Sequence, residues 1–242
     1  MLILILIILL FSFCYLKNNK KPPNVIQETN GSMCSHPDYS NFNIIFTTYN
    51  YKRQDMINDV VKYYTDVLKF PKRNIFIIDS ANKGVGDIVY KENQLIFDQD
   101  ECNVVDKNST SFELCSLKKL ISDNNIMKAL SSRPYTLKIT CKYKLPDLCL
   151  EMKKAILENP LYIVQDEHNN DWGWQNTEIF GVKTSMLKSL IEKLSEDGDN
   201  THNNGLEQRM GKVINGKDYY RMSPLINKAE YKRAHGDHLK YL

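Results

Sequence analysis

The chain lacks a surplus of either charge. Its 242 residues carry a formal net charge of only +3, so no concentrated cationic footprint for nucleic acid is indicated. It also lacks the paired short cysteine spacing of a zinc site, and its histidines form no helical metal pair. His168, His202, His235 and His238 are scattered, and His235-Gly236-Asp237-His238 reads as a solvated loop. Neither the full glycine-rich dinucleotide pattern nor the phosphate-loop Gly-Lys-Ser/Thr is present; Lys83-Gly84-Val85-Gly86 supplies only loop freedom. No internal repeat is visible.

One absence is local. Met1 to Leu16 contain no charged side chain. The run is slightly short of the roughly 20 residues that span a bilayer. It has no leading cation and ends in bulky residues, so a retained signal anchor is favoured over a cleaved signal peptide. Lys17, Lys20 and Lys21 would hold the following domain in the cytosol. The sequons at Asn30 and Asn108 point instead to a secretory lumen. The expectation is a single-pass membrane protein of the secretory pathway or of a viral-factory membrane, with orientation open. Of the six cysteines, Cys102 and Cys115 bracket a loop and can be bridged in a lumen; free thiols are the alternative.

What is present is a core. Hydrophobic residues make up 42% of the chain, enough for one α/β domain with appendages. Residues 17–40 are polar, contain Pro22-Pro23 and read as a stem; the domain is expected over 41–242. Ile44–Thr48, Asn74–Asp79, Gln94–Phe97, Tyr135–Thr140 and Leu161–Val164 read as strands. Asp55–Phe70, Phe112–Leu130, Asp147–Glu158 and Glu207–Val213 read as helices, with Met56, Val60, Tyr63 or Tyr64, and Val67 on the inner face of the first. Met222–Ile226 reads as extended. Thr177–Leu194 is a strand through Gly181 and Lys183 into a helix with Leu187, Leu190, Ile191 and Leu194 on one face. Strands alternating with helices predict a mostly parallel central sheet flanked by helices, with ligands at the strands' carboxyl ends.

Those ends carry the chemistry. Thr47, Thr48, Tyr49 and Asn50, with Arg53 behind them, suit a nucleoside, although Asn50 equally suits a plain turn. Asp79 and Ser80 can bind ribose hydroxyls or cap the next segment. Asp98 and Asp100, two residues apart, can hold a divalent cation, manganese or magnesium, that bridges a diphosphate. Lys138 and Thr140 lie on the fourth strand and Lys142 follows it, and a lysine ammonium neutralises phosphate as a point charge; solvated flanking lysines are the alternative. Glu178 is the candidate general base. Gln175 and Asn176 can bind sugar hydroxyls, and Trp172 or Trp174 can stack on a sugar face or pack in the core.

The runs IIFTTYN, IFIIDS, LKITCKY and QNTEIFGVK, in this order, resemble a GT-A type glycosyltransferase of the small membrane-anchored or viral type. The resemblance covers roughly residues 41–242. It implies a single Rossmann-like domain, a nucleotide-sugar donor bound at the first, second and central strand ends, and a glycan or glycoprotein acceptor near Glu178. The family's acidic metal-binding pair is missing from the central strand, where Thr140-Cys141-Lys142-Tyr143 stands. Either Lys142 substitutes for metal, or Asp98 and Asp100 serve, or catalysis is lost. The competing readings are a nucleotidyltransferase on a related fold and a catalytically silent, membrane-tethered binding protein.

Overall fold

The computed structural model describes residues 39–49, 53–102, 109–165, 168–169, 173–196, 205–224 and 227–228. The expected anchor at 1–16, nearly all of the 17–40 stem, Asn50, Trp172 and both sequon asparagines lie outside these residues. Among the described residues no helix is long and apolar enough to cross a membrane.

The strands are β1 (Phe42–Thr48), β2 (Ile75–Asp79), β3 (Gln94–Ile96), β4 (Tyr135–Thr140), β5 (Tyr143–Lys144), β6 (Tyr162–Gln165), β7 (His168–Asn169), β8 (Trp174–Gln175), β9 (Ile179–Lys183), β10 (Tyr219–Met222) and β11 (Asn227–Lys228). The α-helices are α1 (Gln54–Lys62), α2 (Ser109–Ser122), α3 (Asn124–Leu130), α4 (Leu148–Glu158), α5 (Leu187–Ser195) and α6 (Leu206–Ile214). Seven strands form one sheet in the order β10-β6-β9-β4-β1-β2-β3. β5 pairs with β11 and β7 with β8, both antiparallel.

The sheet is mixed and mostly parallel. β1 lies parallel to β2 and β4, β2 to β3, and β6 to β10. β9 alone runs against its neighbours, β4 on one side and β6 on the other. Both faces are covered, which is why β1 and β2 read as continuous apolar runs. On one face Ile45, Phe76, Ile78, Phe180 and Val182 pack against α2, α5 and α6 through Leu114, Leu117, Leu190, Leu194 and Met210. On the other, Phe46 meets the ring of Tyr64 edge-on, with centroids 4.9 Å apart.

Two helices differ from the sequence expectation for physical reasons. The first does not continue as an α-helix to Phe70. It widens into a π turn at Tyr63–Val67, closed by Leu68 N–H donating to the Tyr63 carbonyl at 3.0 Å. The extra residue in the turn rotates the inner face, so Tyr64 is fully buried while Val67 is left exposed. The long helix expected over 112–130 is two helices. Asp123 breaks it by capping α3, its Oδ1 accepting from Asn125 N and Ile126 N at 2.9 and 3.0 Å, as an N-cap aspartate does.

Helix α6 packs directly on the segment that leads into β8. At Gly211 an added Cβ would stand 1.5 Å from the carbonyl oxygen of Gly173. We expect Gly211→Ala to lower stability by about 1–3 kcal/mol through overpacking. Alanine's better helix propensity offsets only about 1 kcal/mol, and the obstacle is backbone, which cannot swing aside. Urea melts of the two proteins check this; an alanine variant as stable as the parent would refute the close packing.

Candidate active site

Three parallel strands end at one cleft. β1 ends at Thr48 and Tyr49 follows, past β2 comes Ser80, and past β4 come Cys141 and Lys142. A cavity of about 320 Å³ opens there, lined by Thr47, Thr48, Tyr49, Arg53, Met56, Ile57, Ser80, Gln99, Phe112, Glu113, Ser116, Thr140, Cys141 and Lys142. That volume lies at the small end of ligand sites. A larger depression of about 650 Å³ lies against Cys102 and Cys115, but no residue of β1, β2 or β4 lines it. The strand tips mark the smaller cleft as the site.

The backbone ties these tips together. Ser80 N–H donates to the Thr48 carbonyl at 3.2 Å, and Cys141 N–H to the Thr47 carbonyl at 3.1 Å. Tyr64, buried under the sheet, donates its hydroxyl to the Tyr143 carbonyl at 2.9 Å, which fixes the chain just beyond Lys142. Cys102 and Cys115 form a disulfide. It joins the turn carrying Gln99 to the helix carrying Phe112, Glu113 and Ser116, all on the cleft wall.

Most of the residues expected to bind a donor converge here: Thr47, Thr48, Tyr49, Arg53, Ser80, Thr140 and Lys142 all face the cavity. Asp79 does not. Its side chain is completely buried, and Oδ2 accepts from the Lys83 and Gly84 amides at 2.8 and 2.9 Å. Gly84, at φ +64°, wraps the chain around that carboxylate; a Cβ there would meet the Ile96 side chain at 2.5 Å. Aspartate and glycine together build a turn rather than a ribose site.

Lys138 is likewise internal, with 1% of its side chain exposed. Its ammonium pairs with the Glu113 carboxylate on α2 and donates to Thr140 Oγ1 at 3.0 Å and to the Thr177 carbonyl at 2.9 Å. Asp98 caps the short turn Gln99–Glu101, accepting from Asp100 N at 2.9 Å, while its own amide donates to Glu101 Oε1 at 2.9 Å. Among the described residues no three acidic, histidine or cysteine side chains gather as a metal site. The tip of β4 carries an ammonium where a divalent cation would need carboxylates. Among the described residues, the side chains at this strand tip do not supply the carboxylate set that a diphosphate-bridging metal needs.

Glu178 stands immediately before β9. Because β9 is antiparallel, its start lies at the parallel strands' carboxyl edge, where Thr140 N–H donates to the Glu178 carbonyl at 2.8 Å. The Glu178 carboxylate forms an ion pair with Lys142 and accepts a hydrogen bond from the Tyr143 hydroxyl. The Lys142 ammonium also lies over the Tyr143 ring, 4.9 Å from its centroid. Partial burial pushes the Glu178 carboxyl up, but hydrogen bonds from Lys142 and Tyr143 and the charge of Lys142 outweigh it, and the net shift is downward.

The expected acceptor residues are placed differently from the cleft-lining set. Gln175 is buried, and its Nε2 donates to the Gln165 carbonyl at 2.7 Å. Asn176 is buried too, and its Oδ1 accepts from Glu178 N at 2.8 Å. Both amides shape the backbone under Glu178 instead of facing solvent. Trp174 is half-buried. Sequence reasoning missed Tyr143, Glu113, Gln99 and Phe112. Only Tyr143 carried a signal, as the residue next to Lys142.

No protein-family model matches the chain, and no curated protein matches it. Among solved structures, the chain is similar to the crystal structure of a glycosyltransferase involved in the glycosylation of the major capsid of PBCV-1. The two share 12% identity at a TM-score of 0.44, over 75% of this chain and 81% of that one. A likeness at that level says nothing about chemistry.

The depressed Glu178 fixes a pH dependence. A carboxylate below its ordinary value of 4.5 adds stability above that pH, and the contribution is lost as pH falls through the lower folded value. We expect Glu178→Gln to be less stable than the parent at pH 7 by on the order of 1 kcal/mol or less, since the pair is solvent-screened. The two should converge as pH falls below 4.5 and through the lowered folded value. Urea melts over a falling pH series check it; a gap that widens on acidification would contradict the assigned ion pair.

Proposed function

We propose that this protein is a glycosyltransferase that moves a sugar from a nucleotide-diphosphate donor to a hydroxyl of a glycan or glycoprotein, with inversion and without a bound metal. The reading rests on one observation: the ends of β1, β2 and β4 meet at a cleft lined by a cation, Lys142, which is joined to a carboxylate just beyond the lining, Glu178.

Each part has a role. Tyr49 and the apolar Met56 and Ile57 offer surfaces for a base, and Thr47, Thr48 and Ser80 offer hydroxyls. Arg53 and Lys142 meet the diphosphate. Lys142 is 43% exposed, so a phosphate oxygen can compete with Glu178 for its ammonium. Drawing Lys142 toward the donor leaves Glu178 a stronger base. The acceptor oxygen attacks the anomeric carbon as the bond to the diphosphate breaks, the electron pair leaving with the phosphate oxygen. The acceptor's proton passes to Glu178. With the cleft's other carboxylate, Glu113, held by Lys138, Glu178 alone is left to take the proton, which suits one displacement and hence inversion. The disulfides at Cys102–Cys115 and at Cys149 fit an oxidising compartment, which supports a domain facing the lumen of the secretory pathway.

The test begins with a thermal-shift screen against UDP-, GDP- and CMP-sugars. At least one should raise the melting temperature by mass action. Glu178→Gln should keep that binding and lower turnover by about 10²–10⁴-fold. EDTA should leave turnover unchanged; complete loss restored by manganese would return the phosphate role to Asp98 and Asp100. Binding without turnover in the parent protein would favour a silent binding protein of the same fold.

A further inference from the structure

The cleft wall contributed by α2 contains a carboxylate with no role so far. Glu113 lines the cavity, and its side chain is one-quarter exposed. Behind it stands the ammonium of Lys138, enclosed by β4, by the Thr177 carbonyl and by the Phe180 ring, whose centroid is 5.7 Å away. Stability does not require such a pair. An ion pair taken out of water can be replaced by apolar residues of similar volume at little cost, whereas breaking it is expensive. What the pair does accomplish is orientation. Lys138 holds the Glu113 carboxylate at the wall and, through the bond into Thr140 Oγ1 at 3.0 Å, occupies an acceptor position of that hydroxyl. The Thr140 proton is thereby left for another acceptor.

The wall next to β4 therefore offers an ionised acceptor, Glu113, beside a hydroxyl donor, Thr140. This pattern repels phosphate, which belongs with Arg53 and Lys142, and it matches neighbouring hydroxyls on a neutral ring. Resting on the reading of this cleft as the donor site, we infer that Glu113 receives hydroxyls of the transferred sugar, with Lys138 as its positioning residue. Lys138 itself touches no donor.

Calorimetric titration of the full chain with UDP, UDP-glucose, UDP-N-acetylglucosamine, GDP and GDP-mannose tests this. In the parent protein a nucleotide sugar should bind more tightly than its own nucleoside diphosphate. In Glu113→Gln that advantage should fall about tenfold, the loss of one hydrogen bond to a charged group. Affinity for the bare diphosphate should stay within about twofold. Should the single variant fail to fold, Glu113→Gln combined with Lys138→Met removes both charges and should show the same selective loss. An advantage that survives either substitution, or an equal weakening of sugar-bearing and bare nucleotides, overturns the inference and leaves the donor site standing. Failure of every nucleotide to bind the parent protein overturns the donor site and this inference together.

Discussion

The antiparallel insertion of β9 between β4 and β6 is the constraint on which the site depends. In a wholly parallel sheet every strand would start at the far edge, and the residue before a strand would lie about 15 Å from the ligand side, given a rise of about 3.3 Å per residue. Reversal places the start of β9 beside the end of β4. Glu178 then stands next to Thr140, Lys142 and Tyr143, although more than thirty residues of chain separate them. The rest of the local structure serves that meeting. Gln175 and Asn176 fold the approach to β9, and Gly211 lets α6 press against it.

The order of the elements was legible because it lies in periodicity. The apolar runs of β1, β2, β4 and β6 and the one-faced pattern of α5 appear where the residues place them, within a residue or two. Strand direction was not legible. IFGVK is as apolar as its parallel neighbours, since β9 is buried by both layers whichever way it runs. The π turn was hidden for a related reason: Val67 keeps helical spacing in sequence, and only the inserted residue at Tyr63–Val67 turns it outward.

The candidate site divides along the same line. Residues at the tips of parallel strands could be placed from the strand pattern alone, and Thr47, Thr48, Tyr49, Arg53, Ser80, Thr140 and Lys142 line one cavity. Residues brought in by helix packing could not. Nothing in SFELCSLKKLIS distinguishes Glu113 from a solvated acid until α2 is laid on the sheet opposite Lys138. Asp79 misled in the opposite sense. A carboxylate beyond a buried strand looks like a ligand group, but two amides of the following turn take one of its oxygens, because a buried charge must be satisfied where it stands.

Lys138 and Lys142 lie four residues apart, yet their side chains emerge on opposite terms. Lys138 sits within β4, where the strand's pleat turns it into the layer under α2, and its ammonium must be paired permanently with Glu113 because no water reaches it. Lys142 lies past the strand end, where solvent weakens its attachment to Glu178. Parting the buried pair would strand the Lys138 ammonium, so the Glu113 carboxylate stays fixed at the cleft wall. The rim pair can exchange partners at little cost, and an arriving anion need only match what Glu178 already supplies. Strand β4 and the turn beyond it thus carry one fixed cation and one exchangeable cation.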